Sequence, residues 1–224
     1  MNTILLRVFC VLGGYLLGCI QTSYIIGRMK GIDIREHGSG NAGTTNTLRV
    51  LGKKYGAIVF LVDLLKCVAA SLIAYFVFRN SHPDMVYLFK LYAGFGCVLG
   101  HNFPFFLGFR GGKGIAATGG LIASFYWPFI PVAAVSFFLT FVLTNYVSLG
   151  SLIMCFNFFV QMVIFVLLHP LGFVQNSASA VQVEMIIIAF IITTLAFVRH
   201  RANIGRLVRH EERKTYLIKK NKAE

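Results

Sequence analysis

A chain of 224 residues that is 57% hydrophobic and only 13% charged is too apolar for a soluble domain, which carries about a quarter charged residues. With a mean hydropathy of +0.73 spread along most of its length, its solvent is lipid. The formal charge of +13 would suit nucleic acid, yet its distribution along the chain argues for membrane orientation and contact with anionic lipid instead.

Helical crossing of a bilayer takes roughly 20 apolar residues. The apolar stretches run over residues 8–26, 57–78, 85–106, 115–143, 152–168 and 181–198. The first has Arg7 ahead of it and a basic loop behind it, with no small-residue cleavage site, so it reads as a retained helix rather than a signal peptide. The fourth is too long for one helix and is interrupted by Gly119, Gly120, Pro128 and Pro131. Two shorter helices there bring the expected total to about seven, with backbone buried in protein at the interruptions. The sequence therefore predicts an all-α, polytopic integral membrane protein forming a single domain over residues 1–224, with a basic C-terminal segment over 199–224. The five cysteines (Cys10, Cys19, Cys67, Cys97 and Cys155) lie inside the apolar stretches without disulfide or zinc spacing, and are expected as small buried packing residues.

Orientation follows from the cations. The loop after the first helix, the loop after the third and the tail from Arg199 onward hold 17 of the 21 Lys and Arg. Arg7, Arg79 and Lys90 fall on the other side and Lys66 inside the membrane. The positive-inside rule places the N-terminus outside and the C-terminus in the cytoplasm, which an odd helix count satisfies. No nucleic acid is expected as a partner.

Three segments on the expected cytoplasmic side carry chemistry. The first, residues 37–49, joins Gly38, Gly40 and Gly43 to Ser39, Asn41, Thr45, Asn46 and Arg49. Glycine lets backbone N–H groups approach an anion, and arginine adds a fork that suits phosphate. Its match to G-x-G-x-x-G is weak, because no βαβ unit surrounds it. In the second, His101 is followed by Arg110, Gly111, Gly112, Lys113 and Gly114 just before an apolar helix. That arrangement describes an anion cradle at a helix N-terminus, although the spacing is not a Walker A loop. In the third, His200 and Asn203 stand three apart on one helical face, and a histidine there can serve as base or phosphate donor. Taken singly, these segments also fit a flexible loop, a basic stop signal and a polar helix end.

Asp63 and Lys66, i and i+3 within the second apolar stretch, mark either a functional site or, more simply, a mutual salt bridge. Ser148 and Ser151, in the expected short inner loop 145–151, could line the same site or cap a helix. His82 and His169 fall away from the cluster. There is no G-x-S-x-G elbow, the cysteines lie in apolar stretches, and no H-x-x-x-x-D pair is present, so no protein nucleophile is evident and the donor would have to arrive already activated. Two glycine-built anion sites with one histidine suit a reaction between two phosphorylated substrates. A transporter of a phosphorylated small molecule is the alternative, and a lipid-binding scaffold a third reading.

The pattern S-x-N-x-G-x-T-N-x-x-R is filled by Ser39, Asn41, Gly43, Thr45, Asn46 and Arg49. With H-x-F-P, F-R-G-G-K-G and H-R-x-N-x-x-R-L, it resembles the bacterial membrane-integral acyl-phosphate:glycerol-3-phosphate acyltransferase family over essentially the whole chain. This copy departs from the family at Ala202, at Cys67 and at Arg209-His210. The resemblance implies transfer of a fatty acyl group from acyl-phosphate to the 1-hydroxyl of glycerol-3-phosphate, the first step of bacterial phospholipid synthesis. It further implies His200, Asn203 and Lys113 as catalytic residues. Ser39, Asn41, Gly43, Thr45, Asn46, Arg49, His101, Arg110, Gly111, Gly112, Gly114 and Ser148 would be substrate-binding. No cofactor or metal is implied. The expected setting is the cytoplasmic face of the inner membrane, and an enzyme that makes acyl-phosphate is an expected partner.

Overall fold

The computed structural model describes residues 3–216, so Lys219, Lys220 and Lys222 of the basic tail lie outside the described residues. Ten α-helices and no strand occur among the described residues. The N-terminal stretch divides into α1 (Thr3–Gly18) and a short α2 (Thr22–Met29), followed by the surface helix α3 (Thr44–Leu51). The bundle continues through α4 (Lys53–Phe78), α5 (Val86–Asn102), α6 (Ile115–Phe125), α7 (Phe129–Thr144), α8 (Val147–Leu168) and α9 (Ser179–Arg199), and α10 (Arg201–Val208) closes it. Four segments, Thr3–Met29, Lys53–Phe78, Val147–Leu168 and Ser179–Arg199, are long and apolar enough to cross a membrane. Helices α6 and α7 are shorter apolar ones.

Boundaries move for identifiable reasons. The stretch 8–26 is broken after Gly18, where Gln21 caps α2 and its carboxamide donates to the His101 carbonyl at 2.9 Å. The stretch 85–106 ends its helix at Asn102, because Pro104 disfavours helical geometry at Phe103. The inner loop expected over 145–151 shrinks to Asn145 and Tyr146, and Ser148 and Ser151 lie in the first turns of α8. In the 115–143 stretch the break falls at residues 126–128. Gly119 and Gly120, expected as interruptions, lie inside α6.

Glycine decides how closely two of these helices approach. Gly14 and Gly18 of α1 face α5, and Gly96 and Gly100 of α5 face α1. A methyl on any of the four would run into a backbone carbonyl across the interface: Ala93, Cys97, Val11 or Tyr15. Two G-x-x-x-G motifs thus interleave, the small-residue packing that substitutes for hydrophobic driving force in lipid. Nearer the starts of α1 and α9, Arg7 grips Glu184 with two hydrogen bonds of 2.6 and 2.8 Å, and Tyr92 of α5 donates to the same carboxylate. Around the α6–α7 turn, Phe125, Phe129, Phe158 and Phe173 form a buried aromatic cluster with centroids about 6 Å apart.

Candidate active site

The loops after α2 and α5, the α9–α10 junction and the segment 211–216 converge on a cavity of about 990 Å³. Each contributes through a different local device.

In the first loop, Asp33 caps a 3₁₀ turn by accepting from the Arg35 N–H at 3.0 Å. The Arg35 guanidinium bonds the same carboxylate and holds its pKa at about 2. Gly38 and Gly40 take positive φ, +64° and +70°, conformations that favour glycine. Asn46, fully buried on α3, then fixes the loop's shape. Its Oδ1 accepts from the Ser39 N–H at 2.8 Å, and its Nδ2 donates to the Ile34 and His37 carbonyls at 3.0 and 2.9 Å. Ser39 and Arg49 are left on the exposed side.

The second loop folds back on the end of α5. The Gly112 N–H donates to the His101 carbonyl at 3.1 Å and the Gly111 N–H to the Asn102 carbonyl at 3.2 Å. Arg199 donates to the carbonyls of Gly111 and Gly112 at 3.1 and 2.8 Å. Those two glycines therefore serve close packing: a methyl on Gly111 would meet the His101 carbonyl, and one on Gly112 the His101 ring and the Ala42 carbonyl. Their N–H groups are already paired. The N–H groups of the first turn of α6 have no partner within the helix and so are free to meet an anion. Gly114 opens that turn at φ +78°. Behind the loop, Lys66 pairs with Asp63 at 2.8 Å, as the i, i+3 spacing suggested, donates to the Ile20 carbonyl at 2.7 Å, and stands 3.0 Å from His101 Nδ1.

At the α9–α10 junction, His200 caps both helices. Its Nδ1 lies 2.8 Å from the Ala196 carbonyl. A carbonyl only accepts, so that nitrogen carries the proton and Nε2 keeps a free lone pair. Burial, and then the charge of Lys113, lower its pKa to about 4. Lys113 donates to Asn203 Oδ1, and burial brings its own pKa down to about 8.

Sequence reasoning did not single out Glu212. Almost buried, it accepts from Ser148 Oγ at 3.0 Å, Asn203 Nδ2 at 2.6 Å and Arg206 Nε at 2.7 Å. Burial works to raise its pKa, but these hydrogen bonds outweigh it and keep the carboxylate charged below its ordinary value. Beside it, Arg49 donates to Thr215 Oγ1 at 2.9 Å and to the Arg213 carbonyl at 3.3 Å, while the Thr215 N–H reaches the Asn145 carbonyl at 2.9 Å. The segment 211–216 is thereby strapped across α3 and the α7–α8 turn. An acidic pair within an otherwise basic tail was the available signal.

Every residue named for the site lines this cavity except Gly112, whose place behind the loop makes it a packing element. Arg199, Arg206 and Arg213 line it as well. From this cationic mouth the cavity continues as an apolar groove between α4, α6, α7 and α8, past Leu64, Ile122, Ala133, Phe137 and Met154. Chemically, the arrangement suits a phosphate group at one end and a hydrocarbon chain at the other.

The chain matches the family model described as glycerol-3-phosphate acyltransferase over residues 8–210. It is 41% identical to a Shouchella clausii protein of that name, with 91% of this chain and 93% of the relative covered. A Clostridioides difficile protein of the same name is 43% identical, with 89% and 91% covered. Among solved structures, it is similar to PlsY (YgiH), an integral membrane glycerol 3-phosphate acyltransferase. The glycerol 3-phosphate form matches with TM-score 0.79 and 33% identity over 94% of this chain and 96% of that one. The lysophosphatidic acid form matches with TM-score 0.76 over 94% and 95%. Fold, site and these matches agree: the chain belongs to the glycerol-3-phosphate acyltransferase family.

Proposed function

We propose that this enzyme transfers a fatty acyl group from acyl-phosphate to the 1-hydroxyl of glycerol-3-phosphate, releasing lysophosphatidic acid and inorganic phosphate. The observation that carries the proposal is the single cavity whose cationic mouth runs without a break into an apolar groove. Relatives solved in glycerol 3-phosphate and lysophosphatidic acid forms supply the substrate and product chemistry.

Arg49, Ser39 and Lys113 bind phosphate oxygens, and the first-turn N–H groups of α6 add donors and the positive end of a helix dipole. The substrate hydroxyl oxygen attacks the acyl carbonyl carbon, the new ester C–O bond forms, and the carbonyl–phosphate C–O bond breaks. Fixed positive charge from Lys113 and Arg49 stabilises the phosphate as it leaves, and holding both reactants in one cavity supplies proximity. The hydroxyl proton passes to an oxygen of the donor's own phosphate, while His200 Nε2 accepts a hydrogen bond and orients the acceptor. Asn203 keeps Lys113 in place.

Helices α1, α4, α5, α6, α7, α8 and α9 are the seven membrane-embedded segments. The N-terminus lies outside, and the site faces the cytoplasm of a bacterial inner membrane. An enzyme that produces acyl-phosphate delivers the donor. The deciding experiment incubates purified protein with labelled glycerol-3-phosphate and either palmitoyl-phosphate or palmitoyl-CoA. Lysophosphatidic acid from the phosphate donor alone is the expected result. Product from the CoA donor as well would show that the donor site is less selective than proposed, and no product from either, in folded protein, would overturn the assignment.

A further inference from the structure

Helix α6 carries two adjacent glycines that do different things. Gly120 faces α4, where a methyl would collide with the Leu64 carbonyl, so close helix packing demands it. Gly119 has no such reason. A Cβ built there meets no atom within 4 Å, and its backbone does not take positive φ. A glycine inside a helix weakens it relative to alanine, so an open glycine at this position costs stability without serving packing. What it does serve is space. Gly119 lines the apolar groove with Ala116 and Ala123 on the same face of α6, and Ala133, Ala134 and Phe137 of α7 line the same groove. It stands five residues beyond Gly114, about 7.5 Å along the axis at roughly 1.5 Å per residue.

We propose that Gly119 determines which acyl chain this enzyme takes, because the missing side chain keeps the groove open past the first few carbons and lets a long chain run on toward the α6–α7 turn. The inference rests on the acyl-transfer reading of the site. The groove's occupant is the donor's acyl chain, since the groove is continuous with the phosphate-binding mouth. A methyl at 119 would enter the chain's path without disturbing the bundle, because its Cβ meets no atom within 4 Å. Short donors end before reaching it and long ones do not.

The test compares kcat/KM for hexadecanoyl-phosphate and hexanoyl-phosphate, with labelled glycerol-3-phosphate, in wild type, Gly119→Ala and Gly119→Leu. The ratio of long to short donor is expected to fall about tenfold or more in Gly119→Leu and by less in Gly119→Ala, the scale at which a hydrophobic pocket discriminates a methylene or two. A ratio within about twofold of wild type in both variants, or equal losses with the two donors, overturns the proposal. Should the leucine variant fail to fold, the alanine ratio decides, because the space at its Cβ is open. Wild-type protein that makes no product from either donor would overturn the acyl-transfer reading itself.

Discussion

The two glycine loops look alike in sequence and are built on different principles. Around residues 38–43, glycine supplies backbone angles, at Gly38 and Gly40, and one side chain, Asn46, holds the resulting shape. Around 111–114, glycine supplies proximity: Gly111 and Gly112 lie so close to the end of α5 that a methyl has nowhere to go, and Arg199 clamps the loop from the other side. The first loop is thus conformationally shaped and open, and the second is wedged. Substitutions should therefore fail in different ways in the two places.

The largest effect is expected in the wedged loop. Gly112→Ala forces a methyl against the His101 ring and the Ala42 carbonyl. It should lower kcat/KM by about a hundredfold, since a shift of an ångström in a positioning element costs that much. Thermal unfolding should show a loss of about 1–3 kcal/mol from overpacking. Near-normal activity in this variant would mean that the loop is not wedged. Next, Arg49→Ala should raise the KM for glycerol-3-phosphate roughly tenfold to a hundredfold, the worth of a hydrogen bond to a charged group; an unchanged KM would remove Arg49 from the phosphate site. Asn46→Ala tests the open loop directly. Leaving the Ser39 N–H unpaired, and taking one donor each from the Ile34 and His37 carbonyls, should cost about 2 kcal/mol of stability, read by thermal unfolding, with a KM increase smaller than that of Arg49→Ala.

The titrating groups give the smaller effects. Lys113, at about 8, is charged below that pH and neutral above it, so the KM for glycerol-3-phosphate should rise from pH 8 upward and stay level below. His200 is buried neutral with its pKa lowered from 6.5 to about 4. Between those values the unfolded chain takes up a proton that the folded one refuses. Stability contributed by this residue is complete above pH 6.5 and falls by about 3 kcal/mol as the pH drops toward 4. If the donor phosphate takes the proton, His200→Ala should reduce activity less than about tenfold, below the usual range for losing a general base.

Much of this was legible before any coordinates. Long apolar runs announced the bundle, the 115–143 stretch was too long for one helix, and Asp63 and Lys66 pair as their spacing suggested. The site residues named from the three motifs, Gly112 apart, line one cavity. What stayed hidden has a common cause. Sequence shows that glycine is present, not whether it serves an angle, a contact or empty space, and Gly40, Gly112 and Gly119 are one of each. Nor does spacing reveal which polar side chain is spent internally, which is why Asn46 reads as a ligand and Glu212 as an unremarkable acid in a basic tail. The break between α1 and α2 depends on Gln21 meeting His101, 80 positions away, and no local pattern encodes it.

The interleaved glycines of α1 and α5 carry a consequence for biogenesis. Among the described residues, none of α1 lines the cavity, yet the segment just after it, through Ile20 and Gln21, bonds Lys66 and the His101 carbonyl beneath the wedged loop. As the chain emerges from the ribosome, α1 and α4 are made before α5, so the glycine face of α1 has no matching ridge until α5 follows. Only when α5 inserts and the glycine ridges mesh can the floor of the second loop reach its final height. A side chain at Gly18 or Gly100 should therefore weaken, through that floor, a site that α1 itself does not line.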